Sequence, residues 1–467
     1  MRRARLTFLS VLIFATLPAI AGGEPVAAKR RADLVVRGGT VLTMAGPNIE
    51  NGAVAVNGNS IVAVGTAAEI DAAWQAKTVI DARGGAILPG FVNAHTHVPM
   101  TLFRGIADDR DLMDWLQNFI FPAEAKNVDR EFVRVGTRLA AAEMIMSGTT
   151  TFADMYYFEA DVAREAKAAG LRCVAGETLI DFPAPDNKTW EEGMAYMKKF
   201  VAEFKDDPLV IAAIAPHSPY TVSEAHLREV RAFATETGAP ILIHLAETRD
   251  ELEQVGKAHD GKTPGHYLES IGFLGDDVIA AHGIWLSAEE SATLAKHGTS
   301  VVHCPESNMM LASGVAPIKQ HAAAGVDVGL GTDGPAGSNN NLDMIEEMAS
   351  AARLQKITWK DPKAFSAREV LEMGTIGGAR ALNLADRIGS LEPGKRADII
   401  VMDLSSPSIR PIYSIESAIV YAASGDDVVT TIVDGRILML DRKVMTVDVK
   451  KAVSEADAVR ARVMESL

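Results

Sequence analysis

Eight short apolar segments, each followed by a helix-like stretch, limit what this chain can fold into more than any other feature. They are Ala86–Val92, Thr149–Met155, Leu171–Gly176, Leu209–Ala215, Pro240–Leu245, Val278–Ala281, Thr299–His303 and Val326–Gly331. Most are short apolar runs, as suits parallel strands buried on both faces. The stretches between them, such as Arg130–Met146 and Ser223–Thr235, are rich in Ala, Glu and Lys and read as helices. Eight strands alternating with helices predict an α/β fold, a closed (β/α)₈ barrel of the TIM type, over residues 86–385.

The flanks have a different texture. Asp33–Met44 and Ala53–Gly65 are β-branched runs, with Gly38-Gly39 and Asn57-Gly58-Asn59 as expected hairpin turns. Ala397–Leu404 and Val428–Val433, followed by the turn Asp434-Gly435-Arg436, repeat that style near the other end. Neither end has enough strands to bury a face alone. Residues 30–85 and 386–450 are therefore expected to form one small β-sandwich domain into which the barrel is inserted, with a C-terminal helix over 451–467.

Residues 1–21 have the layout of a secretory signal peptide: basic Met1–Arg5, apolar Leu6–Leu17, Pro18, then the small-residue site Ala19-Ile20-Ala21. Cleavage near Ala21 and an exported, periplasmic protein are expected. The apolar run falls short of the ~20 residues that a membrane span needs, so no membrane attachment is expected after cleavage. A net charge of −15 argues against nucleic acid or anionic lipid as partners, since both require basic patches, and favours a small-molecule substrate. The two cysteines, Cys173 and Cys304, fall on the third and seventh strands, across the barrel from each other, and are expected to be buried free thiols.

Functional groups of such barrels stand at the C-terminal ends of the strands. Strand one leads into His95-Thr96-His97, whose histidines, two apart on an extended segment, point to the same face. Strand five ends at His244-Leu245-Ala246-Glu247, strand six at His282 and strand eight at Asp333. His-x-His alone is a weak signal, but four strand ends carrying His or Asp predict a metal centre. His95, His97, His244 and Asp333 are the expected ligands of one divalent ion. Zinc fits this donor set, and iron(II) is the alternative. Two-ion barrels bridge their metals with a lysine or carboxylate from strand four, and Ile211–Tyr220 (IAAIAPHSPY) contains no Lys, Asp or Glu.

With these residues on the page, the chain resembles the amidohydrolase superfamily, in the branch of 5-methylthioadenosine/S-adenosylhomocysteine deaminases and their chlorohydrolase relatives. The stretches that carry the resemblance are PGFVNAHTHVPMTLFRGIADD, DWL, PHSPY, IHLAET, HCPESNMML, GTDG and SNNNLDM. The resemblance implies a hydrolytic deaminase that releases ammonia from the adenine ring of a nucleoside such as 5′-methylthioadenosine or adenosine, by attack of a metal-bound hydroxide. It implies that Glu247 is the general acid–base, that His282 hydrogen-bonds the water, and that Asp333 takes part in catalysis as well as ligation. It further implies that Glu124 accepts from the ribose hydroxyls, that His217 contacts the purine and that Trp115 lines the pocket near the 5′ substituent, with Asn308 and Ser338 at the rim. Family members are commonly homo-oligomers.

One departure stands out. Relatives that accept S-adenosylhomocysteine grip its carboxylate with arginines, whereas Ala175–Trp190 contains none and places Glu177 where one would stand. The expected preference is for methylthioadenosine or adenosine. An s-triazine chlorohydrolase or aminohydrolase, or a deaminase of another purine or pyrimidine base, is the alternative. A barrel without catalysis is disfavoured because every ligand and Glu247 are present. The zinc cytidine deaminase site is ruled out because its Pro-Cys-x-x-Cys motif is absent.

Overall fold

The computed structural model describes residues 28–466, so the expected leader, residues 1–21, lies outside the described residues. The chain opens with five strands: β1 (Arg30–Val41), β2 (Ile49–Asn57), β3 (Ser60–Thr66), β4 (Trp74–Asp81) and β5 (Ala86–Pro89). Eight parallel strands follow: β6 (Phe91–Thr96), β7 (Thr149–Tyr156), β8 (Arg172–Leu179), β9 (Val210–Pro216), β10 (Ile241–Leu245), β11 (Val278–His282), β12 (Ser300–His303) and β13 (Val328–Leu330). The end of the chain adds β14 (Ile399–Met402), β15 (Val428–Val433), β16 (Arg436–Leu440), β17 (Lys443–Val444) and the helix Val449–Ser466.

β6 to β13 pair in chain order as a nearly closed barrel. The seam between its last and first strands is a single parallel bridge, Thr96 to Asp333, backed by the Asp333 amide donating to the His95 carbonyl at 3.0 Å. Gly331 permits this close approach, because a Cβ there would lie 2.7 Å from the His95 nitrogen. The seam therefore sets two expected metal ligands side by side. The lumen is filled by Val92, Ala94, Ala153, Met155, Val174, Ala213 and Val302, alternating along the strands with residues that face the helices.

The helices follow from capping and apolar periodicity. Arg130–Ser147 is capped by the Asp129 carboxylate and ends at Gly148 with φ 91°, and it buries Phe132, Val133, Val135, Ala140 and Met144. The C-terminal helix packs beside it, with Glu455 accepting from Arg138 at 3.0 Å. No helix among the described residues is long and apolar enough to cross a membrane.

β1–β5 and β14–β17 form one nine-stranded sheet, joined where β14 pairs antiparallel to β5, Ile400 opposite Leu88. The sheet curls so that Ile61 exchanges backbone hydrogen bonds with Gly394 and Lys395. Both ends of the chain contribute to its core, which includes Leu34, Val36, Ile87, Ile399 and Ile432.

Two expectations need correction. The segment Ala86–Val92 is not one barrel strand: 86–89 belongs to the β-domain as β5, the chain breaks at Gly90, and the first barrel strand is β6. Both pieces are fully buried, so polarity does not change between them; the mark of the change of sheet is the Pro89-Gly90 dipeptide, a turn signal inside the apolar run. Gly38-Gly39 is not a hairpin turn either. β1 runs through it, and the positive φ of Gly38 (82°) with a register shift against β2 marks a bulge. Cys173 on β8 and Cys304, just after β12, are buried free thiols.

Candidate active site

The expected ligands converge at the C-terminal mouth of the barrel. His95 sits on β6, His97 just beyond it, His244 on β10, and Asp333 follows β13. His95, His244 and Asp333 are buried. Nε2 of His97 lies 3.4 Å from Nε2 of His244, and Oδ1 of Asp333 lies 3.1 Å from Nε2 of His97 and 3.4 Å from Nε2 of His95. A tetrahedral ion with bonds near 2.1 Å holds its ligand atoms about 3.4 Å apart. Nε2 of His95 is buried without a hydrogen-bond partner, as a ligand atom would be. The opposite ring nitrogens are held in place: Nδ1 of His97 by the Met155 carbonyl, and Nδ1 of His244 by the His217 carbonyl at 2.8 Å. Those contacts fix the tautomer that turns each Nε2 lone pair inward. The donor set therefore fits a divalent ion.

Burial lowers the His95 imidazole to about 4 and His244 well below its usual range, so both are neutral donors. His97 goes the other way, raised to about 9 by the Asp333 carboxylate against the pull of burial. Burial alone would raise Asp333, but the His95 and His97 imidazoles beside it hold it well below the usual carboxylate range. Three residues at these strand ends adopt left-handed backbone conformations: Ala246 (φ 51°), His282 (φ 72°) and Asp333 (φ 61°). Strain of this kind concentrates at functional sites and persists only where the surroundings enforce it.

The enforcing groups are largely ones that sequence reading missed. Ser307 Oγ donates to Asp333 Oδ2 at 2.5 Å, leaving Oδ1 facing the histidines. Glu251 accepts from the backbone amides of Ala246 and Glu247, both at 2.8 Å, and so locks the turn that presents Glu247. Thr248-x-x-Glu251 has the pattern of a capping box, which was a legible signal, but here the glutamate reaches past the cap to the preceding turn. Asn308 and Ser338, expected at the rim, are both buried. Asn308 Oδ1 accepts from His282 Nδ1 at 3.1 Å, and Ser338 Oγ donates to the Gly334 carbonyl at 2.6 Å, so each braces a site loop instead.

These groups open into a cleft whose wall is completed by the apolar side chains of Met100, Leu112, Leu116, Ile120 and Leu311, the mostly apolar concave setting usual for small-molecule sites. Glu247 and His282 stand beside the ligands, with His282 Nε2 3.8 Å from Glu247 Oε2. Burial raises the Glu247 carboxyl above its usual value. His217, just past β9, lines the wall and is pushed down to about 3 by burial and the neighbouring His97 and His95. Glu124, on the helix Phe121–Asn127, is pushed up to about 7 by burial, against the pull of the Tyr156 hydroxyl and His97. Trp115 also lines the cleft, anchored by its indole N–H to the Ala336 carbonyl at 2.7 Å.

Glu177 is a correction. It does not line the cleft. Its carboxyl is fully buried, accepts from the Glu159 amide at 2.9 Å, and is raised well above the usual range by burial and Asp186. It therefore presents no like charge to a substrate. Among the described residues, no lysine or arginine lines the cleft.

Residues 86–438 match the model of the amidohydrolase family. This chain belongs to the amidohydrolase family. It is a metal-dependent hydrolase. This amidohydrolase is 45% identical over 437 residues to a 5-methylthioadenosine/S-adenosylhomocysteine deaminase of Syntrophus aciditrophicus, covering 93% of this chain and 98% of that protein. It is also 45% identical over 408 residues to a 5′-deoxyadenosine deaminase of Methanobrevibacter smithii, covering 87% and 92%. The crystal structure of an adenosine deaminase from Xanthomonas campestris with bound zinc superposes with a TM-score of 0.92 at 38% identity, covering 94% of this amidohydrolase and 100% of that chain.

Proposed function

We propose that this amidohydrolase removes the exocyclic amino group of an adenine nucleoside as ammonia, with an uncharged 5′ substituent preferred. The observation that carries the reading is one site holding three parts: the overlapping metal-capable groups His95/His97/His244 and His95/His282/Asp333, the buried proton carrier Glu247, and the buried acid Glu124. His95, His97, His244 and Asp333 would hold one divalent ion; zinc suits the donors, with iron(II) as the alternative. When bound, such an ion supplies the acidity that lets water act as a nucleophile near neutral pH.

The remaining roles belong to the chain's own side chains. Glu247, whose burial favours the protonated form, delivers a proton to the ring nitrogen next to the carbon under attack, and relays a proton from the attacking water to the departing amine. His282, oriented by Asn308, hydrogen-bonds that water. Asp333, with one oxygen engaged by Ser307, keeps the other on the ligand histidines. Glu124 accepts from the vicinal ribose hydroxyls, for which a two-oxygen carboxylate is suited. His217 meets the purine and Trp115 the 5′ substituent.

Ammonia release should be measured on metal-loaded protein with methylthioadenosine, 5′-deoxyadenosine, adenosine, S-adenosylhomocysteine, guanine, cytosine and atrazine. Adenine nucleosides are expected to be turned over. Turnover of atrazine or a free base alone would sink the reading. Because no cation lines the cleft, the carboxylate of S-adenosylhomocysteine finds no charged partner there. Its kcat/KM is expected to fall roughly 10-fold or more below that of methylthioadenosine, the scale of one missing charged hydrogen bond. Equal values would refute this preference. Asn308→Ala is expected to reduce kcat by roughly 10-fold or less, the scale of one hydrogen bond, with metal content unchanged. An unaltered kcat would show that His282 needs no such support.

A further inference from the structure

The end of β7 faces the His95-Thr96-His97 segment across the first strand pair of the barrel, and it grips that segment at three consecutive positions. The Ala153 carbonyl accepts from Thr96 Oγ1 at 2.9 Å, and the Met155 carbonyl accepts from His97 Nδ1. Between them stands Asp154, fully buried. Its Oδ1 shares the single Thr96 hydroxyl proton with the Ala153 carbonyl, at 2.8 Å, and accepts from the Val98 amide at 2.6 Å, so one carboxylate oxygen bridges the residues on either side of His97. Val98 begins the 3₁₀ turn Val98–Phe103, whose first amides have no partner within the turn.

We infer that Asp154 is a positioning residue for the metal centre: it ties the Thr96 side chain to the Val98 backbone across His97 and so sets where that imidazole stands relative to His95. The inference rests on the reading that His95 and His97 hold the ion. Neither carbonyl contact does the same work. The Met155 carbonyl fixes only the plane of the His97 ring, and the Ala153 carbonyl holds only the near side. Asp154 alone closes the loop, and Val98 has no other acceptor in place of it. Groups that orient metal ligands without touching the ion typically change metal affinity by 10–100-fold when lost.

The surroundings of Asp154 Oδ2 predict which replacement keeps the clamp. That oxygen lies against the Glu159 carboxyl. An asparagine would keep Oδ1 as the double acceptor and aim its amide at Glu159, so the clamp should survive.

The test uses full-length native protein, Asp154→Ala, Asp154→Asn and Thr96→Val. Zinc affinity is measured by competition with a chromophoric chelator, and the visible spectrum is recorded after cobalt(II) substitution. Asp154→Ala is expected to bind zinc roughly 10–100-fold more weakly and to show an altered cobalt spectrum, while Asp154→Asn stays within about threefold of native. Thr96→Val should fall between them. A purely structural role would lower thermal stability and leave both metal readouts alone. A folded Asp154→Ala variant with native zinc affinity and cobalt spectrum would overturn the clamp. If that variant does not fold, native affinity in Thr96→Val would overturn it. Native protein that takes up neither zinc nor cobalt would overturn the ion-site reading and the clamp with it.

Discussion

Glu247→Gln is expected to lower kcat by roughly 10²–10⁴-fold, the range that a positioned general acid–base supplies. Glutamine keeps the volume and the hydrogen-bonding shape of glutamate, and nothing in the metal cluster changes. What it cannot do is carry a proton from the water to the ring and on to the amine. The backbone of residue 247 is held by Glu251 and not by its own side chain, so the substituted side chain should still point into the cleft. Metal content and thermal midpoint are therefore expected to match the native protein, with the loss confined to kcat. Steady-state kinetics with metal analysis on the same sample check this. A kcat within about threefold of native would remove Glu247 from the proton relay.

Removing the ion is the second large effect. Dialysis against a strong chelator is expected to take ammonia release below detection and to lower the thermal midpoint. A ligand present at about 1,000 times its Kd stabilises the folded state by about 4 kcal/mol, and that contribution disappears with it. The apoprotein keeps Asp333 buried against His95 and His97, so the barrel seam should stay folded, and activity should return on adding zinc. His244→Ala should reproduce the loss without recovery, because one side of the ligand set is then missing. Full activity in protein shown to be metal-free would refute the proposed chemistry.

Much of this was readable in the chain. Parallel strands buried on both faces declare themselves as short apolar runs, and residues at their C-terminal ends must share one mouth whatever the loops do. That is why His95, His97, His244, His282 and Asp333, spread over more than half the chain, could be assembled without coordinates. Glu124 and His217 were legible only through the family resemblance, since nothing in their spacing ties a glutamate on a helix after strand one to a histidine after strand four. The errors are equally physical. Ala86–Val92 crosses from one sheet to another without a change of polarity, and Glu177 sits on a strand whose every residue is buried, so burial does not tell a residue that lines the cleft from one that packs behind it.

By itself, then, the sequence determined the strand count of the barrel, the order of the proposed ligands along it, and the lack of Lys, Asp or Glu on β9. Only the tertiary structure decided how those ligands are held. Ser307 on Asp333, Asn308 on His282, Glu251 under Glu247 and Asp154 around His97 are contacts between side chains and loops that follow different strands or adjoining turns. Strand periodicity gives the direction of a side chain but not the distance between loops. A hydrogen bond of 2.5–3.1 Å depends on that distance, and the packing of the whole barrel sets it.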